Sequence, residues 1–282
     1  MGNLMIDLDK VNCDDKEELS KAINSKVWFH SVDIGNGIIT KGQKTHATIL
    51  GEAKALKIPP LKKKTVLDIG AYDGFYSFEA ERLGASRVVS LDIHAWEVDT
   101  LFTPEYIKYC EGRGEEPSPP YKTEWLRWQK DTKNLPGKKK FDLLRRALKS
   151  KVEPYVGDFI LVEPEKIGTF DVVFFMGVLY HLEDPMRGMR KVASFTKEVA
   201  VIETAAVAIA GYEDRSLFEY YPADELNGDA SNWWAPNLKA LTGMCVAAGF
   251  KKVEIIQGPP ADSAGKATGE ITIYRAIVHA WK

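Results

Sequence analysis

One string, TVLDIGAYDGFYSFEAERLGA, constrains the fold more than any other part of the chain. It begins as an apolar run ending at Asp68, continues through a D-x-G-x-x-x-G turn with Gly70 and Gly74, and then predicts a helix that stops at Gly84. Such a strand, glycine turn and helix place bare backbone at the carboxyl edge of a parallel sheet, where doubly wound folds bind nucleotides. The turn lacks the G-x-G-x-x-G spacing that seats a pyrophosphate, so it predicts a nucleoside ligand without phosphates.

Beyond this unit, short β-branched runs alternate with helical stretches, which is typical of a mostly parallel α/β sheet with covering helices. Seven strands are predicted, at Thr65–Ile69, Arg87–Leu91, Val152–Val156, Asp171–Phe175, Val199–Ile202, Lys252–Ile256 and Ile271–Ala280. The last two are joined by QGPPADSAGKATGE, whose prolines and glycines suit a loop and not a covering helix. We therefore expect the final strand to run antiparallel.

The domain prediction is an N-terminal helical cap over residues 1–60, with helices near 14–25 and 44–57, followed by one α/β domain over 61–282. Two stretches of that domain, at about 95–140 and 205–237, fit no covering helix and predict insertions. Six of the seven tryptophans lie in these insertions or in the cap, which favours a pocket roof built off the sheet.

Composition excludes several classes of protein. A net charge of -2 gives no global case for nucleic-acid or membrane binding. The three cysteines, Cys13, Cys110 and Cys245, are far apart and form no CxxC pattern, so neither a zinc site nor a disulfide framework is expected. No apolar run approaches the roughly 20 residues of a spanning helix, and the start of the chain is acidic. We expect an unprocessed cytoplasmic protein with no metal and no membrane partner.

Two further strand ends carry acidic residues. Asp92 ends the second predicted strand, 22 residues beyond Gly70, where a carboxylate can accept both ribose hydroxyls. Gly157 and Asp158 follow the third strand, where Asp158 can meet an adenine amino group. Capping of the strand-to-helix junctions is the alternative role for each aspartate. A glycine turn, a ribose acid and an adenine acid in this order indicate S-adenosylmethionine.

These motifs resemble those of class I S-adenosylmethionine-dependent methyltransferases from about residue 65 to 256. FDVVFFMGVLYHLEDP resembles the fourth-strand motif of the tRNA wobble-uridine carboxymethyltransferases and their small-molecule relatives, and WWAPNLKALTGMCVAAGFKKVEI and YRAIVHAWK extend the match. The resemblance implies a Rossmann-like, seven-stranded sheet with an antiparallel last strand, S-adenosylmethionine as cofactor and S-adenosylhomocysteine as product. The cofactor-binding residues it implies are Asp68, Gly70, Ala71, Tyr72, Asp73, Gly74, Asp92, Ile93, Gly157, Asp158, Met176 and Gly177.

The MGVLYH string then supplies the catalytic candidates, Tyr180 and His181. A sulfonium methyl is already electrophilic, so catalysis needs positioning, exclusion of water and removal of one proton from the acceptor. His181 has a suitable unperturbed pKa for that removal, and its alternative role is to cap the turn from Leu182 to Pro185. Tyr180 is expected to contact the cofactor or the acceptor. No N/D-P-P-Y string is present, which disfavours methylation of an exocyclic base amine.

The carboxymethyl branch of the resemblance implies a lysine, a tyrosine and an arginine that bind an extra cofactor carboxylate. Tyr180 and Arg275 match the last two, while the best local match for the lysine is His30, with Lys41 and Lys44 nearby. A missing lysine would leave that carboxylate underpaired in a closed pocket. Ordinary S-adenosylmethionine is therefore favoured.

The acceptor is the least constrained prediction. Residues 122–151 hold eleven basic residues against three acidic ones, with Trp125 and Trp128 interleaved, which fits either RNA binding or a solvated lid helix. Tyr221, Asn232, Trp233 and Trp234, with His30 and Arg275, suit a pocket for a small polar acceptor, or a loop with Asn/Asp turns. The favoured function is O-methylation of a small molecule. The alternatives are methylation of a tRNA wobble 5-hydroxyuridine oxygen, and cofactor binding without catalysis.

Overall fold

A seven-stranded mixed sheet forms the centre of the computed structural model, which describes residues 6–98, 114 and 131–282. Its order is β10-β11-β7-β6-β3-β4-β5, and β11 is antiparallel to both of its neighbours. The seven predicted strands and the antiparallel last strand are confirmed. The strands are β1 (Trp28–His30), β2 (Gly42–Lys44), β3 (Thr65–Ile69), β4 (Arg87–Asp92), β5 (Glu153–Val156), β6 (Phe170–Met176), β7 (Thr196–Ile209), β8 (Phe218–Tyr220), β9 (Trp234–Pro236), β10 (Lys252–Gln257) and β11 (Ile271–Trp281).

Helices cover both faces of this sheet, as its apolar strands require. In β6, Val172 and Phe174 face one apolar core, and Val173 and Phe175 face the other. The described α-helices are α1 (Lys16–Asn24), α2 (His46–Ala55), α3 (Phe75–Arg82), α4 (Pro136–Ala147), α5 (Pro164–Ile167), α6 (Pro185–Phe195) and α7 (Leu238–Ala247). None of the described helices is both long enough and apolar enough to span a bilayer.

Strand β7 differs most from its prediction, because it runs on to Ile209, inside the second predicted insertion. Its physical support is β11, which pairs with it from Trp281 opposite Val199 to Ile271 opposite Ile209. The rest of that insertion carries the antiparallel β8–β9 hairpin, which begins beyond the end of β7. Tyr221, Leu226 and Ala235 pack on Ala205 and Val207 of the extended strand. The insertion is therefore seated directly on the sheet.

The described part of the basic stretch lies along the N-terminal segment. Lys139 pairs with Asp9 at 3.1 Å, and Arg146 donates to the carbonyl of Leu8 at 2.5 Å. Lys140 is buried and donates to the carbonyl of Val27 at 3.2 Å. The solvated-lid interpretation is wrong for these residues, because their cations hold the N-terminal segment. Predicted residues Cys110, Lys122, Trp125, Arg127, Trp128 and Lys130 lie outside the described residues.

Candidate active site

The glycine turn lies at the carboxyl edge of the sheet, between β3 and α3. Gly70 and Gly74 have φ of 76° and 91°, and the N–H of Gly70 donates to the carbonyl of Leu91 at 2.9 Å. A Cβ on Gly70 would lie 2.5 Å from a methyl carbon of Val178. Both the left-handed backbone and the space therefore require glycine at position 70. The turn brings bare backbone against the segment that follows β6.

Asp92 ends β4 beside this turn. Its Oδ2 accepts from the N–H of Tyr72 at 2.9 Å, and its Oδ1 accepts from the N–H of Ala95 at 3.0 Å. The indole of Trp96 donates to the carbonyl of Tyr72 at 2.7 Å, which fixes the outer side of the turn. Burial raises the pKa of Asp92. Ile93 follows Asp92 directly in the chain. Because Asp92 accepts from the N–H of Tyr72, the predicted ribose acid and the predicted glycine turn meet in the structure.

Asp68 lies beneath the turn and not on its surface. The hydroxyl of Ser77 donates to Asp68 Oδ2 at 2.5 Å, and the hydroxyl of Ser90 donates to Ser77 Oγ at 2.6 Å. All three side chains are buried, and burial raises the pKa of Asp68 to about 6. Through these two serines, Asp68 anchors the turn to α3 and β4. The sequence did not predict a role for either serine.

Gly157 and Asp158 reach the same edge from β5. The N–H of Gly157 donates to the carbonyl of Asp92 at 3.0 Å, so the two acidic strand ends are neighbours. Asp158 Oδ1 accepts from the N–H of Ile160 at 2.9 Å. The contact with Ile160 is the one expected if Asp158 is a cap. Its position at the edge of the sheet is the one expected if Asp158 binds adenine.

Tyr180 and Arg275 meet as the resemblance implies. The Arg275 guanidinium lies 5.0 Å from the centre of the Tyr180 ring. Sequence reasoning missed its second partner, Glu203, whose two carboxylate oxygens bind Nε and a terminal nitrogen of Arg275, the latter at 2.6 Å. Glu203 lies opposite Met176 in the sheet and accepts the N–H of Gly177 at 3.0 Å through its carbonyl. The signal was a lone acid in the apolar run VIETAAVAI.

His30 joins the N-terminal segment to the glycine turn. Its Nδ1 lies 2.5 Å from Asp73 Oδ1, and its backbone N–H donates to Asp73 Oδ2 at 2.7 Å. No contact among the described residues joins His30 to Tyr180 or Arg275. Lys44, the nearby alternative, pairs with Glu52 at 2.7 Å. The contacts of the described residues therefore do not bring together the three side chains that would bind an extra cofactor carboxylate.

Tyr76 is a site residue that the sequence did not single out. Its ring centre lies 5.9 Å from that of His30 and 5.1 Å from that of Phe75. Burial is the main cause that raises the pKa of Tyr76. Tyr76 thus joins the aromatic cluster that His30 and Phe75 form beside the glycine turn. Its position in the first turn of α3, just after Gly74, was the available signal.

His181 lies in the turn after β6, and its partner is a loop of the second insertion. Its Nδ1 lies 2.9 Å from Ser231 Oγ, and Ser231 Oγ donates to Asp229 Oδ1 at 2.7 Å. Burial lowers the pKa of His181. The capping alternative is wrong, because Asp184 caps the following helix by accepting from the N–H of Arg187 at 2.9 Å.

The predicted acceptor residues play different parts. The backbone N–H of Trp233 donates to the carbonyl of Tyr180 at 2.7 Å, which docks the second insertion on the turn after β6. Asn232 is buried and donates to the carbonyl of Leu226 at 2.6 Å, so it shapes the loop. The hydroxyl of Tyr221 and the indole N–H of Trp234 are buried and have no partner among the described residues.

The edge fits S-adenosylmethionine on its own geometry. Each oxygen of Asp92 keeps a lone pair beyond the bond that it accepts from a backbone N–H, and the left-handed glycine turn beside it presents no side chain at Gly70. No group of His, Cys, Asp and Glu among the described residues has the arrangement of a metal site.

Comparisons with known proteins agree with this fit. The methyltransferase domain family matches residues 47–255. The tRNA U34 carboxymethyltransferases of Psychromonas ingrahamii and Sulfurimonas denitrificans are 25% and 24% identical to the chain, covering 76% and 70% of it. Those matches cover 50% and 52% of the relatives, so the chain spans about half the length of the curated relatives it matches.

A solved structure of the N-terminal domain of EvdMO1, in the presence of S-adenosylhomocysteine and D-fucose, shares the fold with a TM-score of 0.55. The two are 14% identical, and the alignment covers 100% of this chain and 99% of that domain. The family match extends over most of the chain. In the strand order β10-β11-β7-β6-β3-β4-β5, the glycine turn follows β3, at the point where the order of the strands reverses. The chain therefore belongs to the methyltransferase domain family, in the class I fold that uses S-adenosylmethionine.

Proposed function

We propose that the protein transfers a methyl group from S-adenosylmethionine to a hydroxyl oxygen of a small polar molecule. The observation that carries the choice of acceptor is that most of the described basic residues of the 122–151 stretch are engaged within the chain. Lys138 pairs with Asp142 at 2.5 Å, and Arg145 donates to the carbonyl of Val152 at 2.6 Å, in addition to the contacts of Lys139, Lys140 and Arg146. Cations held by internal partners have less to offer RNA phosphates.

In this proposal the cofactor is held by the backbone at Gly70 and by the carboxylate of Asp92. When bound, it supplies a sulfonium methyl that is already electrophilic. The protein's own work is to orient the acceptor, exclude water and take one proton from it. Tyr180 and Trp233 border the acceptor, and His181 takes the proton. The unpartnered polar groups of Tyr221 and Trp234 suit the hydrogen bonds of a hydroxyl-bearing molecule.

The Arg275–Glu203 pair favours ordinary S-adenosylmethionine over a carboxylated form. Both oxygens of Glu203 bind the guanidinium of Arg275. A second carboxylate entering beside Arg275 would face the charge of Glu203, and like charges in a buried site repel. This supports the expectation drawn from the missing lysine.

A second candidate is methylation of an oxygen of a tRNA wobble uridine. It is favoured by the relatives at 24–25% identity, which are named tRNA U34 carboxymethyltransferases. In this candidate His181 would take the proton from the acidic 5-hydroxyl of the base. The two candidates therefore differ only in the molecule that bears the acceptor hydroxyl, a small metabolite or a tRNA.

The test is to supply methyl-labelled S-adenosylmethionine with either bulk tRNA or a nucleic-acid-free extract of small metabolites. We expect label in the small-molecule fraction, unchanged between about 50 and 200 mM salt. Label in tRNA that falls steeply over that range would instead establish the second candidate.

A charge variant sharpens this test. Lys133 and Lys151 are exposed, so changing both to glutamine removes charge without touching the N-terminal contacts. Substitution of the neighbouring Lys138, Lys139 and Lys140 would be a poorer test, because Lys140 is buried and Lys139 binds Asp9, so the fold would be affected as well. We expect the K133Q/K151Q protein to keep full small-molecule activity, and a matched loss of tRNA labelling would count for the RNA acceptor.

A further inference from the structure

A chain of three side chains links the catalytic turn to the second insertion. It runs from His181 Nδ1 through Ser231 Oγ at 2.9 Å to Asp229 Oδ1 at 2.7 Å. The carbonyl of Ser231 lies 3.3 Å from the same ring nitrogen. Residues 181 and 231 are far apart in sequence, so this contact is a product of the fold and not of a local turn.

The donors and acceptors of this chain fix the position of the ring proton. A serine hydroxyl has one hydrogen, and Ser231 gives it to Asp229, because an ionised carboxylate only accepts. Toward His181, both the hydroxyl oxygen and the carbonyl of Ser231 can then only accept. The ring must therefore donate from Nδ1, which leaves the lone pair on Nε2. No hydrogen bond joins Nε2 to any of the described residues.

We propose that Asp229 and Ser231 are positioning residues that hold His181 with its proton on Nδ1, so that Nε2 removes the proton of the acceptor hydroxyl. This rests on the proposed function. As the acceptor oxygen forms its bond to the methyl carbon, the bond from that carbon to sulfur breaks and its electron pair stays on sulfur. The hydroxyl proton passes to Nε2, and the imidazolium charge is compensated through Ser231 by Asp229.

The loop that presents Ser231 is held in place independently of His181. Asp229 Oδ1 also accepts the backbone N–H of Ser231 at 2.8 Å, which orders the turn. Two residues further on, the N–H of Trp233 donates to the carbonyl of Tyr180 at 2.7 Å. The relay is thus preorganised from both ends, as a base needs to be.

Charged groups around His181 act in both directions. Burial lowers its pKa, and Arg275 on β11 and His94 after β4 act in the same direction. Asp229 and the carbonyl of Ser231 raise it. The folded-state pKa lies below the ordinary value, so the ring is neutral and able to accept a proton at neutral pH. Removal of the Asp229 charge should lower the pKa further.

The relay can be tested on the ring itself, without an acceptor. The protein is labelled with ¹⁵N in its histidine rings, saturated with S-adenosylhomocysteine and measured by NMR, and the His181 signals are assigned by their loss in His181→Gln. We expect the Nδ1–H tautomer in the native protein, a shift of the tautomer population in Ser231→Ala, and recovery in Ser231→Thr, which keeps a hydroxyl. Asp229→Asn should move the ring titration to lower pH, whereas Asp214→Asn, an exposed acid of the same insertion, should leave it unchanged.

A proton on Nε2 in the native protein, or ring signals that ignore the Ser231 and Asp229 changes, would overturn the proposal. Since this measurement needs no acceptor, it stands even where the methyl acceptor proves to be tRNA.

Turnover provides the second measurement, and its substrate is the acceptor that becomes labelled in the methyl-transfer assay. Ser231→Ala should lower kcat roughly 10- to 100-fold, part of the 10²- to 10⁴-fold that a general base supplies, and leave the acceptor KM nearly unchanged. In a His181→Gln background the serine change should cost nothing more. An equal loss in both backgrounds would mean that Ser231 only supports the loop, and it would refute the relay.

Discussion

The two halves of the site are built in different ways. On the proposed cofactor side, the decisive contacts are made by backbone N–H groups of the glycine turn, such as Gly70 N–H to the carbonyl of Leu91 and Tyr72 N–H to the carboxylate of Asp92. On the acceptor side they are side-chain contacts between distant segments, such as His181 with Ser231. The first half is fixed by one strand–turn–helix unit and its neighbouring strand. The second exists only after three parts of the chain have folded together.

This difference predicts different consequences of substitution. Changes on the cofactor side remove buried backbone or carboxylate contacts, so they should lower stability or cofactor affinity. Changes on the acceptor side remove groups that are proposed to act on the acceptor, so they should lower turnover and leave cofactor binding intact.

The largest effect is expected at His181. His181→Ala should lower kcat by roughly 10²- to 10⁴-fold, because the general base is lost, with S-adenosylhomocysteine affinity unchanged. Steady-state turnover and calorimetry measure the two quantities, and His46→Ala, at the start of α2, is the matched control. A loss of cofactor affinity equal to the loss of turnover would erase the distinction between the two halves.

The next effect is on stability and concerns Gly74. A Cβ there would lie 2.6 Å from Phe78 and 2.7 Å from Phe141 at a φ of 91°. Gly74→Ala should lower the free energy of unfolding by about 2–5 kcal/mol, from left-handed strain and overpacking combined. Gly228→Ala is the control for backbone strain alone, because Gly228 has a φ of 65° and a Cβ there would have no atom within 4 Å. Equal losses for the two alanines in urea unfolding would show that the turn is not tightly packed.

Asp68 should make stability depend on pH. Burial raises its pKa to about 6, and the neighbouring charges are those of Asp92, Asp73 and His30. A raised pKa in the folded state means that its contribution is fully present below about pH 4 and is lost as pH rises through about 6. Relative to Asp68→Asn, the native protein should lose up to about 3 kcal/mol over this window. Parallel stability curves for the two proteins between pH 4 and 7 would contradict the burial of the carboxylate.

The smallest of the four effects is at Asp92. Asp92→Asn should weaken S-adenosylhomocysteine binding by about 1.5–3 kcal/mol, the loss expected for hydrogen bonds to a buried charge. Calorimetry against Asp262→Asn, an exposed aspartate, measures it. Unchanged affinity would remove Asp92 from the cofactor site and leave it as a cap of the Tyr72 and Ala95 amides.

The comparison also explains what the sequence could and could not predict. The seven strands and the turn at Gly70 were predictable because hydrophobic period, β-branching and glycine spacing are local signals. The roles of Glu203 and Ser231 were not, because each depends on a partner reached through the fold. The basic stretch was misjudged for the same reason: its charge is visible in the sequence, but the carbonyl of Leu8 that Arg146 binds is not.

Strand β7 fixes by its register the wall, formed by Ala205 and Val207, on which the second insertion packs. Glu203 and the wall residues Ala205 and Val207 point to one face because they alternate along a single strand that β11 pairs through to Ile271. A deletion of one residue between positions 203 and 209 would invert every later side chain and put the wall into the opposite core. The loop from residue 211 to 217 lies beyond the last bonds of that ladder, which join Ala210 to Glu270 and Gly269. We therefore expect insertions and deletions to be tolerated in that loop, while the strand admits only residue-for-residue exchange.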